Sequence, residues 1–240
     1  MADPRVLLWD GEMSNLKANI GHILCIGYKW LGEKKVNIIS IGDGKAYGKT
    51  AAGTIDDKNV AARFAKVLEQ ADLQVHHFGT YFDEKYLNTR LLVHGLPPVP
   101  VVPRQDTWWI AKSKLALNSN RLVTLEQLFG IKEGKTAINW QTWAMAGAGN
   151  RKALKEIEHH CVQDVKVLEE VYLKLRPLVA NHQNMAILNG YKKGECPRCE
   201  GKMVAMGYCV AGSSVFRRFR CQDCKGWSKV VDKTYKKEPR

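Results

Sequence analysis

Apolar residues in this chain recur with two periods, and the change between them marks out the elements. Val6-Leu7-Leu8-Trp9 is an unbroken apolar run, short enough for a buried strand. It ends on Asp10-Gly11-Glu12. Residues 23–30 and 35–41 are rich in β-formers and are joined by Leu31-Gly32-Glu33-Lys34, which predicts a hairpin. A Gly-rich polar loop follows over 42–54. The period then lengthens: Asp56 or Asp57 caps a helix that carries Val60, Phe64, Val67 and Leu68 on one face. Residues 73–77 form a short strand, and 83–92 a helix burying Tyr86, Leu87 and Leu91. Prolines keep 96–100 extended, because each biases its predecessor away from helix. Asp106-Thr107 opens another helix, and Thr124 with Gln127 forms a capping-box pattern. Asn150 caps a long helix to about Leu175, stopped by Pro177; its stripe is Leu154, Ile157, Cys161, Leu168, Val171 and Leu175. The expected architecture is a mixed α/β domain over residues 1–189, then a small module over 190–240 entered by a basic hinge at 190–194.

Composition changes the picture in one respect. At 240 residues, 45% hydrophobic and 25% charged, the chain is ordinary, but its net charge of +13 favours polyanionic partners, nucleic acid first. A merely soluble basic protein stays open on charge alone. No apolar run is long enough to span a bilayer, and the opening Met-Ala-Asp-Pro-Arg has no hydrophobic signal core, so a cytoplasmic protein with no membrane partner is expected. Seven cysteines include two Cys-x-x-Cys pairs, which points to metal and a reducing compartment. Cys25, Cys161 and Cys209 read as buried thiols.

Acidic residues carry the candidate chemistry. On a strand, Asp10 and Glu12 point to the same face. Their repulsion is relieved by a divalent cation. The bland alternative is the polar end of a strand with a turn at Asp10-Gly11. Asp83, in Gly79-Thr80-Tyr81-Phe82-Asp83, sits where a helix begins and would serve equally as its N-cap. Asp164 falls inside the apolar stripe of the long helix, where a carboxylate needs a metal or a cationic partner such as arginine. His160 lies one turn before it on the same face and is a candidate general base, whereas His159 lies about 140° away.

The order Asp-x-Glu, Gly-x-x-Phe-Asp and a ring-bearing residue shortly before a final Asp resembles the DEDD (DnaQ-like) 3′–5′ exonucleases of the ribonuclease H-like superfamily. The likeness covers roughly residues 5–180, and Ser119-Asn120-Arg121-Leu122 with Trp140 and Trp143 resembles the phage-encoded subset. It implies a ribonuclease H-like mixed sheet with flanking helices, and Asp10, Glu12, Asp83 and Asp164 as ligands of two Mg²⁺ or Mn²⁺ ions. Asp10 would bridge both ions, Glu12 and Asp164 would complete the first site, and Asp83 would act mainly through water. Single-stranded DNA stands ahead of RNA as substrate, a replication or repair protein is the implied partner, and host cytoplasm is the implied location. One subgroup places its His five residues before the final Asp, matching His159; the other has Tyr four before it, where this chain has His160. Both remain candidates, with His160 ahead. Phe78 stands where the family often has Asn. The reading of another class is a non-catalytic nucleic-acid-binding adaptor.

Cys196-Pro197-Arg198-Cys199 and Cys221-Gln222-Asp223-Cys224 have the spacing of a closed Cys₄ zinc site and resemble a zinc ribbon, with strands over 204–210 and 214–220. Residues 190–240 hold 13 Lys and Arg against 5 Asp and Glu. That makes +8 of the total +13, with Arg217, Arg218, Phe219 and Arg220 suited to phosphates and bases. A protein-docking ribbon is the competing reading.

Overall fold

The computed structural model describes residues 4–43, 48, 55–132, 138–180, 182–190 and 194–234. Most of the expected 42–54 loop, much of the 190–194 hinge and the tail from 235 lie outside them. The chain divides into two compact units: Arg5–Tyr172, and Leu173–Arg240 with the first four residues.

The larger unit is built on a five-stranded mixed sheet: β1 (Val6–Met13), β2 (Ile23–Trp30), β3 (Asn37–Ser40), β4 (Leu73–His76) and β5 (Arg104–Asp106). The spatial order is β3-β2-β1-β4-β5. The first three strands pair antiparallel, as the predicted hairpin requires, while β1–β4 and β4–β5 are parallel. Parallel neighbours need crossovers, which α1 (Lys58–Leu68) and α2 (Asp83–Val93) help to supply; α3 (Thr107–Lys114), α4 (Leu122–Phe129), α5 (Trp140–Gly147) and α6 (Arg151–Leu175) follow. Trp9, fully buried, packs on Phe64 of α1 with ring centroids 4.8 Å apart. Its indole donates to Gln74 Oε1 at 3.0 Å, so the β1–β4 contact is satisfied as well as packed. Leu154, Ile157 and Cys161 of α6 join the same core as Ile23 and Ile26 of β2.

Three local expectations change. Thr124 lies inside α4, whose N-cap is Arg121, so the helix starts three residues earlier than expected and buries Leu122. Phe82, not Asp83, is the N-cap of α2. Asp57 stands at the α1 N-cap but makes no side-chain cap bond. Its carboxylate instead takes a fork from Arg90 (Nε and Nη2 at 2.7–3.1 Å) and the Ile23 amide at 2.7 Å. A fully buried charge gains more from a guanidinium than from a cap amide.

In the second unit a short 3₁₀ turn (Arg176–Leu178) and α7 (Met185–Leu188) precede an antiparallel sheet of β6 (Met203–Ala211), β7 (Ser214–Cys221) and β8 (Trp227–Val231), with β7 central. Residues 173–189, placed with the first domain from sequence, group here. Arg198, buried, donates to the Val179 carbonyl at 2.7 Å, and the Met185 amide donates to the Pro197 carbonyl at 2.9 Å. Cys209 is not buried as expected; it sits half-exposed on β6, whose side chains face solvent along most of its length.

Candidate active site

β1 runs through Asp10-Gly11-Glu12 without turning, so both acids leave the same face of a central strand. That face meets α6. Asp10, Glu12 and Cys161 each place one ligand-type atom within 4.8 Å of the others, and so do Glu12, His160 and Asp164. His160 Nε2 lies 3.9 Å from Glu12 Oε1 and 3.8 Å from Asp164 Oδ2. Glu12, His160 and Asp164 are all buried. The Trp143 ring of α5 meets His160 edge-on, with centroids 5.8 Å apart.

His159 is separated from this group. α6 is continuous from Arg151 to Leu175, and His159 falls on its exposed face, beside Gln163 at 3.4 Å. Helical geometry therefore brings one histidine to the acids and leaves the other in solvent.

Asp83, at the start of α2, lies against Gly11 of β1 and outside both close groups. Its Oδ1 would lie 3.2 Å from a Cβ built on Gly11, and it accepts from the Gly11 amide. Gly11 thus serves the close approach of the Asp83 carboxylate rather than a turn. Gly79 is the second glycine the site needs, because any Cβ there would be 2.6 Å from the His76 ring. Burial lifts the Asp83 carboxyl to about 6, against the opposing pull of the His76 charge.

A hard divalent cation fits this donor set of converging carboxylates. Cys161 does not belong to it. Its thiol is held well above the ordinary value by the adjacent Cys25 thiol and by burial, and it points at the Asp10 carbonyl at 3.5 Å. A protonated thiol is a poor ligand for such an ion.

A polar layer that the sequence did not announce supports Asp83. Asp106 accepts from the amides of Phe78 (2.8 Å), Thr80 (3.2 Å) and Trp108 (3.0 Å). His76 sits between it and Glu84, with Nε2 2.9 Å from Glu84 Oε1 and Nδ1 3.4 Å from Asp106 Oδ2. The signal was the spacing of Asp106 before a helix, which shows a cap but not its two extra amides. Phe78 has φ +65°, the left-handed region where Asn is tolerated and a bulky residue is strained.

A family model described as the RNase_H superfamily matches residues 7–176. The chain belongs to the RNase H superfamily. Among solved structures, this RNase H chain resembles a family B DNA polymerase from the hyperthermophilic archaeon Pyrobaculum calidifontis. The TM-score is 0.56 at 15% identity, covering 80% of this chain and 28% of the polymerase. The chain therefore spans little more than a quarter of that protein, and the likeness is one of fold. No curated protein matches it. Superfamily and acid cluster together support a nuclease.

In the second unit Cys196, Cys199, Cys221 and Cys224 converge, again within 4.8 Å of one another. The Cys196–Cys224 and Cys199–Cys221 sulfurs are 3.8 and 3.6 Å apart. A disulfide needs about 2.05 Å. A tetrahedron with arms of about 2.3 Å has edges of about 3.8 Å, so the sulfurs fit zinc. The basic strand is exposed, but its residues divide between two faces, since side chains alternate. Arg217 lies over Phe219 at 5.8 Å on one face. Arg218 and Arg220 flank Trp227 of β8, at 5.8 and 5.9 Å, on the other. Trp227 was missed from sequence because the third strand carrying it was.

Proposed function

We propose that this protein is a divalent-metal-dependent 3′–5′ exonuclease of the DEDD group, phage type, that trims single-stranded DNA and holds the strand with a C-terminal zinc ribbon. The observation that carries the reading is the convergence of Glu12 and Asp164 on the buried His160, with Asp10 closing on Glu12 from the same strand face.

Asp10, Glu12, Asp83 and Asp164 would hold two Mg²⁺ or Mn²⁺ ions, and those ions would activate a water and stabilise the departing 3′ oxygen. The protein's own contribution is position. β1 fixes Asp10 and Glu12, α6 fixes Asp164 and His160 one turn apart, and the Gly79 loop delivers Asp83 against Gly11. His160 Nε2 is the base that takes the water's proton; the Trp143 edge limits how its ring can turn. Zinc on the four cysteines is structural, because a closed Cys₄ site leaves no position for substrate. Arg217, Arg218, Phe219 and Arg220 contact phosphates and bases.

The test uses DNA and RNA oligonucleotides labelled at either end, with Mg²⁺, Mn²⁺ or EDTA. Mononucleotides released from the 3′ end of single-stranded DNA, and lost in EDTA, are expected. Preference for RNA would change the substrate, and binding without cleavage would make the protein an adaptor.

A further inference from the structure

In the segment before Asp83 and at the start of α3, four aromatic rings stand together at the surface. Phe78 stacks on Tyr81 with centroids 5.3 Å apart and meets Trp108 at 5.0 Å; Tyr81 lies 5.8 Å from Trp109. Phe78, Tyr81 and Trp109 are 41%, 42% and 39% exposed. Apolar rings left in water as a group mark a binding surface. Lys85 lies over Tyr81 at 5.3 Å and Lys112 over Trp108 at 4.7 Å, so the rim is cationic.

The group is built, not accidental. Its rings come from two segments, the Gly79 loop and the start of α3, and Asp106 fastens both through the amides of Phe78, Thr80 and Trp108. Phe78 is held at φ +65°, a conformation costly for a bulky side chain and kept only where the surroundings impose it. Tyr81 is two residues from Asp83, so the rings belong to the segment that carries that carboxylate.

We infer that Phe78, Tyr81, Trp108 and Trp109 form a stacking ledge for the unpaired bases of a single-stranded polynucleotide, with Lys85 and Lys112 on its phosphates. The occupant rests on the nuclease reading. Flat rings accept any base by its π-face and lysines accept the backbone, so the ledge is indifferent to sequence and excludes a duplex, whose bases are already stacked. An acidic protein would use the lysines but not four parallel and edge-on rings.

The experiment uses the full chain carrying Asp164→Ala to prevent cleavage, with Mg²⁺, and measures Kd by fluorescence anisotropy. The probes are a decathymidylate and a decamer of the same charge with abasic residues at its three 3′ positions. Trp109→Ala should weaken decathymidylate binding about 5- to 100-fold, the effect of losing one base–ring stack. Trp109→Phe should restore most of it, and the abasic decamer should bind weakly with or without the ring. Tyr81→Ala, checked by circular dichroism, should reproduce the pattern should Trp109→Ala not fold. Equal weakening of both probes, or of neither, overturns the ledge as a base platform. Cleavage by the unmodified chain with ring-independent binding sinks the ledge and keeps the nuclease; ring-dependent binding without any cleavage does the reverse.

Discussion

Raising the pH should destabilise this protein through His76. The ring is 1% exposed, with Glu84 Oε1 at 2.9 Å on one nitrogen and Asp106 Oδ2 at 3.4 Å on the other. Burial works against its charge, but the hydrogen bonds and charges of Asp106 and Glu84 prevail and lift its pKa from 6.5 to about 9. Asp106 responds in the opposite sense: burial would raise it, and His76 brings it down from 3.8 to about 2. Both displacements describe one pairing and count once. A rise from 6.5 to about 9 corresponds to about 3 kcal/mol of folded-state stability. For a raised pKa that contribution is complete below pH 6.5 and is lost as pH climbs through about 9. The perturbation is His76→Gln, which keeps a hydrogen-bonding group of similar length but cannot titrate. Urea unfolding followed by far-UV circular dichroism at pH 6.5 and 9.5 gives both proteins' stabilities, and subtraction cancels the thiols and other titrating groups remote from the ring. The wild type should lose about 3 kcal/mol more than the variant across the window. Parallel losses would refute the reasoning and mean that the ring is buried neutral.

The remaining predictions concern the two candidate sites. Asp10→Ala and Asp164→Ala should each abolish 3′-end cleavage with an unchanged circular dichroism spectrum; near-normal rates in either would remove that acid from the metal site. His160→Ala should lower the rate roughly 10²- to 10⁴-fold, the usual range for a lost general base, and His159→Ala far less; the reverse would reassign the base. Cys221→Ser with Cys224→Ser should release zinc, measurable by elemental analysis, and raise KM on long strands while very short substrates at saturation are cleaved normally. Arg218→Ala with Arg220→Ala should reduce the slope of log affinity against log salt by about 0.7 per lost phosphate contact; an unchanged slope would favour a protein-docking ribbon.

The sequence showed the strands and long helices because their periods are strong, and placed Asp10 with Glu12 because alternation on a strand is rigid geometry. Asp164 and His160 were legible for the same reason: one helical stripe, one turn apart. Asp83's approach was not, since its contact depends on Gly11 lacking a side chain 72 residues earlier. β5 and β8 were missed because three to five residues carry too little periodicity. Asp57 looked like a helix cap, and only the fold brings Arg90 to it. The rings of 78, 81, 108 and 109 lie in two segments whose neighbourhood is created by parallel pairing of β4 with β5.

β4 follows β1 only from Val6 to Leu8, whereas β2 stays paired with it as far as Met13. Past Leu8 the strand is therefore laced on one side and open on the other, and the Gly79 loop enters through that opening. The two halves of the acidic centre then belong to different elements. Asp10 and Glu12 are paired into the central hairpin, opposite Gly27 and Cys25. Asp83 opens α2, and the turn before it is held by the Asp106 carboxylate and by the Glu84 amide on the Gly79 carbonyl at 3.0 Å. The centre therefore has two walls of different origin: one is part of the sheet, and the other belongs to the segment that carries the aromatic rings.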